Sequence, residues 1–139
     1  MIDVIIADHQ ELFRIGIAEI LAVAGDVRII GQPQSSEQLL NTLKGVSPHV
    51  LILSTSFLPA FSQIQRMLKR RGKRRGTALL VLTEENDCAA YVRWLRARGV
   101  VYRSMDGLVL VDAMRRVARG ELFVQNRSSD RREDQCKVA

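Results

Sequence analysis

The sequence predicts a doubly wound α/β domain, a five-stranded parallel sheet with helices on both faces. Two observations carry this. Val50-Leu51-Ile52-Leu53 and Leu79-Leu80-Val81-Leu82 are short, unbroken apolar runs bounded by turn-forming or polar residues, as strands buried on both faces must be. Such runs also alternate with amphipathic stretches at helical spacing, which forces right-handed crossovers between parallel strands.

Taken in order, Val4 to Ala7 is the first strand, ending at Asp8 and His9. A helix from Gln10 to Ala24 follows, with Phe13, Ile17, Ile20, Leu21 and Ala24 on its inner face and Gly25 placed to stop it. Val27 to Gly31 is the second strand. Ser35 and Gln38 form a capping-box start for a short helix carrying Leu39, Leu40 and Leu43 and closed by Gly45. The central strand, Val50 to Leu53, runs into three hydroxyls, Ser54, Thr55 and Ser56, and then into a loop through Pro59. A third helix starts near Ser62 with Gln65 as capping partner and turns Ile64, Met67 and Leu68 inward. Ala78 to Thr83 is the fourth strand. Asp87 caps a helix with an inner stripe of Cys88, Val92 and Leu95 that Gly99 ends. Val100 to Arg103 is the fifth strand, and a last helix from Asp106 to Arg119 buries Leu110, Ala113, Met114 and Val117 before Gly120. The implied strand order is the flavodoxin-like 2-1-3-4-5, with a crevice above strands one and three into which Asp8 and Ser54 open. Residues 1–124 thus form one domain, and 125–139, without periodicity, are expected to be a mobile tail or linker stub.

Composition narrows the function classes. The chain has 139 residues, 47% hydrophobic and 26% charged, enough for one ordinary globular core. No apolar run approaches the ~20 residues that cross a bilayer, and the N-terminus lacks the order of a signal peptide, so a cytoplasmic protein without membrane contact is expected. Cys88 and Cys136 have neither zinc-site nor redox-pair spacing and read as separate thiols. Charge is uneven: residues 1–65 hold three basic and six acidic side chains, residues 66–119 fourteen basic and five acidic. A basic second half suits an acidic partner surface or nucleic acid, or is a solvated face.

Several of these stretches resemble a known family, the receiver domains of NarL/LuxR-type bacterial response regulators, over Ile2 to Phe123. IIADHQELFRIGI is similar to the family's first strand, acidic turn and first helix, SPHVLILS to the strand that delivers the phosphoacceptor, and LLVLT to the strand with the switch hydroxyl; RARGVVYRS and AMRRVARGE are similar to the last strand and helix. The resemblance implies a CheY-like fold, and in active members an acidic pair that holds Mg²⁺, an acceptor aspartate, a Ser or Thr and a Lys. Hard Mg²⁺ needs carboxylates, the nucleophile must be an anion at neutral pH, and cations offset phosphoryl charge.

Carried over position by position, Ala7 stands in place of the first acid and only Asp8 remains. The acceptor position is Ser54, or Thr55 if the slightly longer loop shifts it; Thr83 matches the switch hydroxyl and Tyr102 the switch aromatic; the lysine position falls on Arg103 or Met105. A protonated hydroxyl without a base is a poor nucleophile. The expectation is therefore a pseudo-receiver lacking the phosphoacceptor aspartate, which takes part in two-component-type transcription regulation through phosphorylation-independent protein contacts or dimerisation, with no cofactor and no enzymatic activity. A phosphorelay receiver using Asp8, Ser54 or Thr55 is the alternative, and a nucleic-acid- or ligand-binding module the third.

Two surfaces stand out. The fourth helix, fifth strand and fifth helix, used by active receivers to dock or dimerise, offer Tyr91, Trp94, Arg98, Arg103, Arg115 and Arg119, with Arg and Trp favoured as interface anchors. The run Lys69, Arg70, Arg71, Lys73, Arg74, Arg75 can meet phosphate backbones but lacks interleaved aromatics. DNA contact is expected only through a separate or missing helix-turn-helix output domain. Ser54 with His9 lacks an orienting third residue and an oxyanion motif, so no hydrolase chemistry is expected. His49 reads as a surface residue, and Glu84 and Glu85 as solvated loop carboxylates beside the crevice.

Overall fold

A computed structural model describes residues 1–70, 76–84 and 88–125, with the side chains of Arg70, Cys88 and Ala89 left undescribed. Its elements are β1 (Ile2–Ala7), α1 (Glu11–Ala24), β2 (Val27–Gly31), α2 (Ser36–Gly45), β3 (Val50–Ser54), a 3-10 helix (Thr55–Ala60), α3 (Phe61–Arg70), β4 (Ala78–Thr83), α4 (Cys88–Leu95), β5 (Gly99–Tyr102), α5 (Gly107–Ala118) and β6 (Phe123–Val124). The parallel α/β sheet and its five helices are those expected from the sequence. The sheet has a sixth, two-residue edge strand, giving the order 2-1-3-4-5-6 with all neighbours parallel.

The strands alternate their side chains between two cores. Ile5, Ala7, Leu51, Leu53, Leu79, Val81 and Val100 face α2, α3 and α4 through Leu39, Leu43, Ile64 and Leu95. Val4, Ile6, Val50, Ile52, Leu80, Leu82 and Val101 face α1 and α5 through Ile17, Leu21, Leu110, Met114 and Val117. All five residues of β3 are buried, as a central strand covered on both sides must be.

Local signals decide most helix ends. Ser35 accepts a hydrogen bond from the Gln38 amide (3.2 Å), while the Gln38 side chain returns to the amide of Gln34, one residue before the cap. Asp106 caps α5 by accepting from the Leu108 amide (3.0 Å). Gly25 and Gly120 adopt φ of 85° and 89°, the left-handed stop that favours glycine.

Five expectations are corrected. The loop through Pro59 is a 3-10 helix that runs directly into α3, so Ser62 lies inside α3 rather than capping it. Gly45 is the last residue of α2, with Val46 as cap. Gly99 does not end α4; it opens β5, where an added Cβ would press on Leu80 and lie 2.7 Å from Val117 Cγ2, so glycine is favoured by close strand–helix packing. Gln125 is paired to the sheet: its amide donates to Val100 O (2.9 Å) and its side chain accepts from the Tyr102 amide (2.8 Å). His49 is half-buried, its Nδ1 accepting from the Asp3 amide at 2.9 Å. The Asp87 cap, the Cys88 side chain and Cys136, with the rest of the expected tail from 126 on, lie outside the described residues.

Candidate functional site: a crevice closed by its own arginine

Parallel pairing aligns the strand ends. Ala7 is level with Leu53, Ser54 with Leu82, and Thr83 with Tyr102. The residues just beyond, Asp8 and Arg103, therefore overhang the same crevice, at the point where the chain leaves β1 and β3 for opposite sides of the sheet.

Asp8 is fully buried, and its carboxylate is occupied from two directions. Oδ1 accepts from the Gln10 amide at 2.8 Å, which fixes the turn into α1, and Oδ2 takes Nη1 of Arg103. The backbone of Asp8 is held as well: its carbonyl accepts from the buried Arg14 (2.6 Å), whose Nη2 also reaches Gln34 Oε1 (3.4 Å), and its amide donates to Pro33 O (3.3 Å). The acid is thus immobilised before any ligand arrives.

Arg103 is only 11% exposed and spans the crevice. Nη1 reaches Asp8 and, at 3.3 Å, Ser54 Oγ; Nη2 reaches Gln10 Oε1; Nε lies 3.4 Å from Glu84 Oε2. Its Cζ sits 3.8 Å over the centroid of the Phe13 ring. A planar fork stacked on an aromatic face while donating along its edges is a task for Arg that Lys does not perform. Of the two residues the sequence left open for the cation, Arg103 enters the crevice, whereas Met105, its amide donating to Tyr102 O (3.0 Å), packs against the α1–α5 core.

The hydroxyls lie around this pair. Ser54 is buried and also accepts from the Ser56 amide (3.4 Å) and hydroxyl (3.3 Å); Ser56 in turn contacts His9 Nδ1 at 2.9 Å. Thr55 starts the 3-10 helix. Thr83 is buried and donates to Tyr91 Oη at 3.4 Å, and Tyr102 is buried in the core under α3 and α4.

This donor set does not suit Mg²⁺. One carboxylate faces the crevice at the family's acidic turn, it is already neutralised by a guanidinium, and its neighbour is the methyl group of Ala7. Among the described residues no cluster of three or more His, Cys, Asp or Glu gathers anywhere.

Sequence reasoning missed Gln10 and Phe13 as crevice residues, since one reads as the start and the other as the inner face of α1. Glu84, taken as a solvated loop residue, is exposed yet adjoins Arg103; Glu85 lies outside the described residues.

The candidate docking residues are dispersed. Trp94 is 72% exposed on α4, and Tyr91 is half-buried above Thr83. Arg98 donates to Gly120 O (2.9 Å) and Arg119 pairs with Glu121 (3.0 Å). Arg115 is turned to the α1 side by Asp26, whose carboxyl it holds below the usual carboxylate range through hydrogen bonds of 2.9 and 3.0 Å. Arg103 belongs to the crevice and not to that face. Of the basic run, Lys69 is exposed on α3; Arg71, Lys73, Arg74, Arg75 and the Arg70 side chain lie outside the described residues.

No protein-family model matches the chain. In sequence it is 22% identical over 123 residues to the nitrate/nitrite response regulator NarL of Escherichia coli K12, covering 87% of this chain and 56% of that protein. It is also 22% identical over 125 residues to the transcriptional regulatory protein DegU of Brevibacillus brevis, covering 88% of this chain and 52% of DegU. The chain therefore spans about half the length of these curated relatives. In structure it is similar to the isolated receiver domain of RcsB from Salmonella enterica serovar Typhimurium in the apo form, with TM-score 0.78 and 26% identity over 94% of this chain and 97% of that one. Similarity in sequence to response regulators and in fold to an isolated receiver domain together support a receiver domain of the two-component type.

Proposed function

We propose that this chain is a cytoplasmic, non-enzymatic receiver module that signals without aspartyl phosphorylation, through contacts with a partner protein or a second copy of itself. The observation that carries the reading is Arg103, whose guanidinium lies between Asp8, Gln10, Ser54 and Glu84. In an active receiver the acidic set is left open for a metal ion; here the one remaining acid is paired with a guanidinium of the chain itself, and the position for the nucleophile is a hydroxyl with an arginine, not a base, at its side. The conformation around the crevice is set by folding rather than by a phosphoryl group.

No helix among the described residues is long and apolar enough to cross a membrane, in keeping with action in solution. Control of transcription, and DNA contact through a separate output domain, are proposed from the names and greater length of the relatives. The exposed Trp94 on α4 favours a protein contact on the α4–β5–α5 side.

The test is intact mass after incubation with acetyl phosphate and Mg²⁺, with fluorescence of Trp94, the single tryptophan, followed through a Mg²⁺ titration. No adduct and a flat signal are expected. A phosphoryl adduct would sink the reading, and its position on Asp8, Ser54 or Thr55 would identify a phosphorelay receiver with a substitute acceptor.

A further inference from the structure

Ion pairing is uneven among the described cations. Near β2 and α5, Arg28, Arg115, Arg116 and Arg119 each face a carboxylate, respectively Asp3, Asp26, Asp112 and Glu121. On α3 and at the end of α4, Lys69 and Arg96 are exposed and make no ion pair with a described residue. With Lys44, Arg66 and Arg93, also exposed and without an ion pair to a described residue, most of the unpaired charge lies on α2, α3 and α4, while Arg98, before β5, stands apart.

Lys69 and Arg96 rim a groove of about 290 Å³ between α3 and the end of α4, and no carboxylate of a described residue lines it. Its floor is apolar: Phe61, Leu68 and Leu95 are half-buried and Leu79 is buried, all of them packed on the core. Room for an apolar side chain, flanked by two cations that no described carboxylate pairs, selects a ligand that carries an apolar group and carboxylates on one short segment.

Arg96 adds an independent observation. It follows the last residue of α4 with φ of 60°, the left-handed position at which helices ordinarily place glycine, and it is the one non-glycine residue of positive φ among those described. The chain thus carries a long cationic side chain at a backbone position where glycine is cheaper, and that side chain lines the groove. A less favourable backbone state at a surface site points to a use for the side chain that occupies it.

We propose that the α3–α4 groove docks an acidic amphipathic segment of a partner protein, an apolar side chain filling the cleft and carboxylates meeting Lys69 and Arg96. A phosphodiester backbone would meet the cations but has no use for the apolar floor. The inference goes beyond the reading of the crevice, and it stands or falls apart from whether the chain is phosphorylated.

The test uses the full chain and three labelled probes, read by fluorescence anisotropy: a peptide of about fifteen residues with Leu and Phe at i, i+4 spacing among glutamates, the same peptide with lysines for glutamates, and a DNA duplex. The acidic peptide is expected to bind, more weakly as salt screens the exposed cations. Lys69→Glu with Arg96→Glu should weaken it by about tenfold or more, the effect of reversing two rim charges, while Arg116→Glu on the far face should change it less than about twofold. Arg96→Gly separates binding from folding: it should raise the melting midpoint by about 4 °C, since glycine relaxes the left-handed position, and still weaken the peptide. Equal binding of acidic and basic peptides, no loss in the Glu variants, or no peptide binding at all would overturn the proposal. Binding of the duplex without the peptide would also do so, and would assign the face to nucleic acid.

Discussion

Arg103→Ala is the sharpest probe of the closed crevice. The substitution removes the guanidinium and leaves the fully buried Asp8 carboxylate with one donor, the Gln10 amide. Breaking a buried ion pair from one side costs about 3–5 kcal/mol, chiefly through the charge left behind. Arg103 is 11% exposed and its contact with Glu84 reaches a carboxylate that is 76% exposed, so the lower end applies, about 3 kcal/mol. For a domain of this size that is a fall in melting midpoint of roughly 10 °C. The assay is urea denaturation followed by far-UV circular dichroism, with wild type, Arg103→Ala, Asp8→Asn and the double variant compared in a cycle. Because the cost lies in the orphaned carboxylate, the double variant should be more stable than Arg103→Ala alone, by about 1–2 kcal/mol. A loss below about 1 kcal/mol for Arg103→Ala, or a double variant less stable than the single one, would refute the claim that this pair closes the crevice.

Three further outcomes follow from the same structure. Arg103→Lys should lose about 1–2 kcal/mol, since an ammonium cannot bridge Asp8, Gln10 and Glu84 while stacking on Phe13; equal stability by denaturation would show that charge alone suffices. Gly99→Ala should cost about 1–3 kcal/mol by forcing Leu80 and Val117 apart, and a neutral result in a thermal melt would contradict the close approach of β5 and α5. Asp3 and Asp26 are held below the ordinary carboxylate range by the guanidinium groups of Arg28 and Arg115, so their contribution is fully present above about pH 4 and is lost as pH falls through the lowered folded values. The stability gap between wild type and Asp3→Asn/Asp26→Asn should therefore narrow as pH is lowered from 6 to about 3, and a gap independent of pH would show that the pairs do not act.

The fold was largely legible in the sequence because its signals are local. Val50 to Leu53 and Leu79 to Leu82 must be buried on both faces wherever they lie, and Leu110, Ala113, Met114 and Val117 mark a helix face by spacing alone. Departures came where a local cue had a distant cause. Gly99 reads as a helix stop because glycine usually is one, yet its reason is the side chains of Leu80 and Val117, and Gln125 reads as tail although it completes the hydrogen bonding of β5. The two-residue β6 is too short to leave a periodic signal, and the segment around Pro59 gives no hint that a 3-10 turn continues straight into α3.

By itself the sequence determined which residue types stand at the strand ends: Ala7 and Asp8 after the first, Ser54 and Thr55 after the third, Thr83 after the fourth. It left Arg103 and Met105 as equal candidates for the cationic position, and it gave no reason to join Gln10 and Phe13 to the site. Only the tertiary structure decided that. Strand register and right-handed crossovers bring Arg103 to residues 95 and 93 positions away, Asp8 and Gln10, and its guanidinium settles where one aromatic face and several oxygen acceptors converge. Composition along a chain fixes which groups are available, but the direction a long side chain takes depends on which partners the packed sheet brings within its reach.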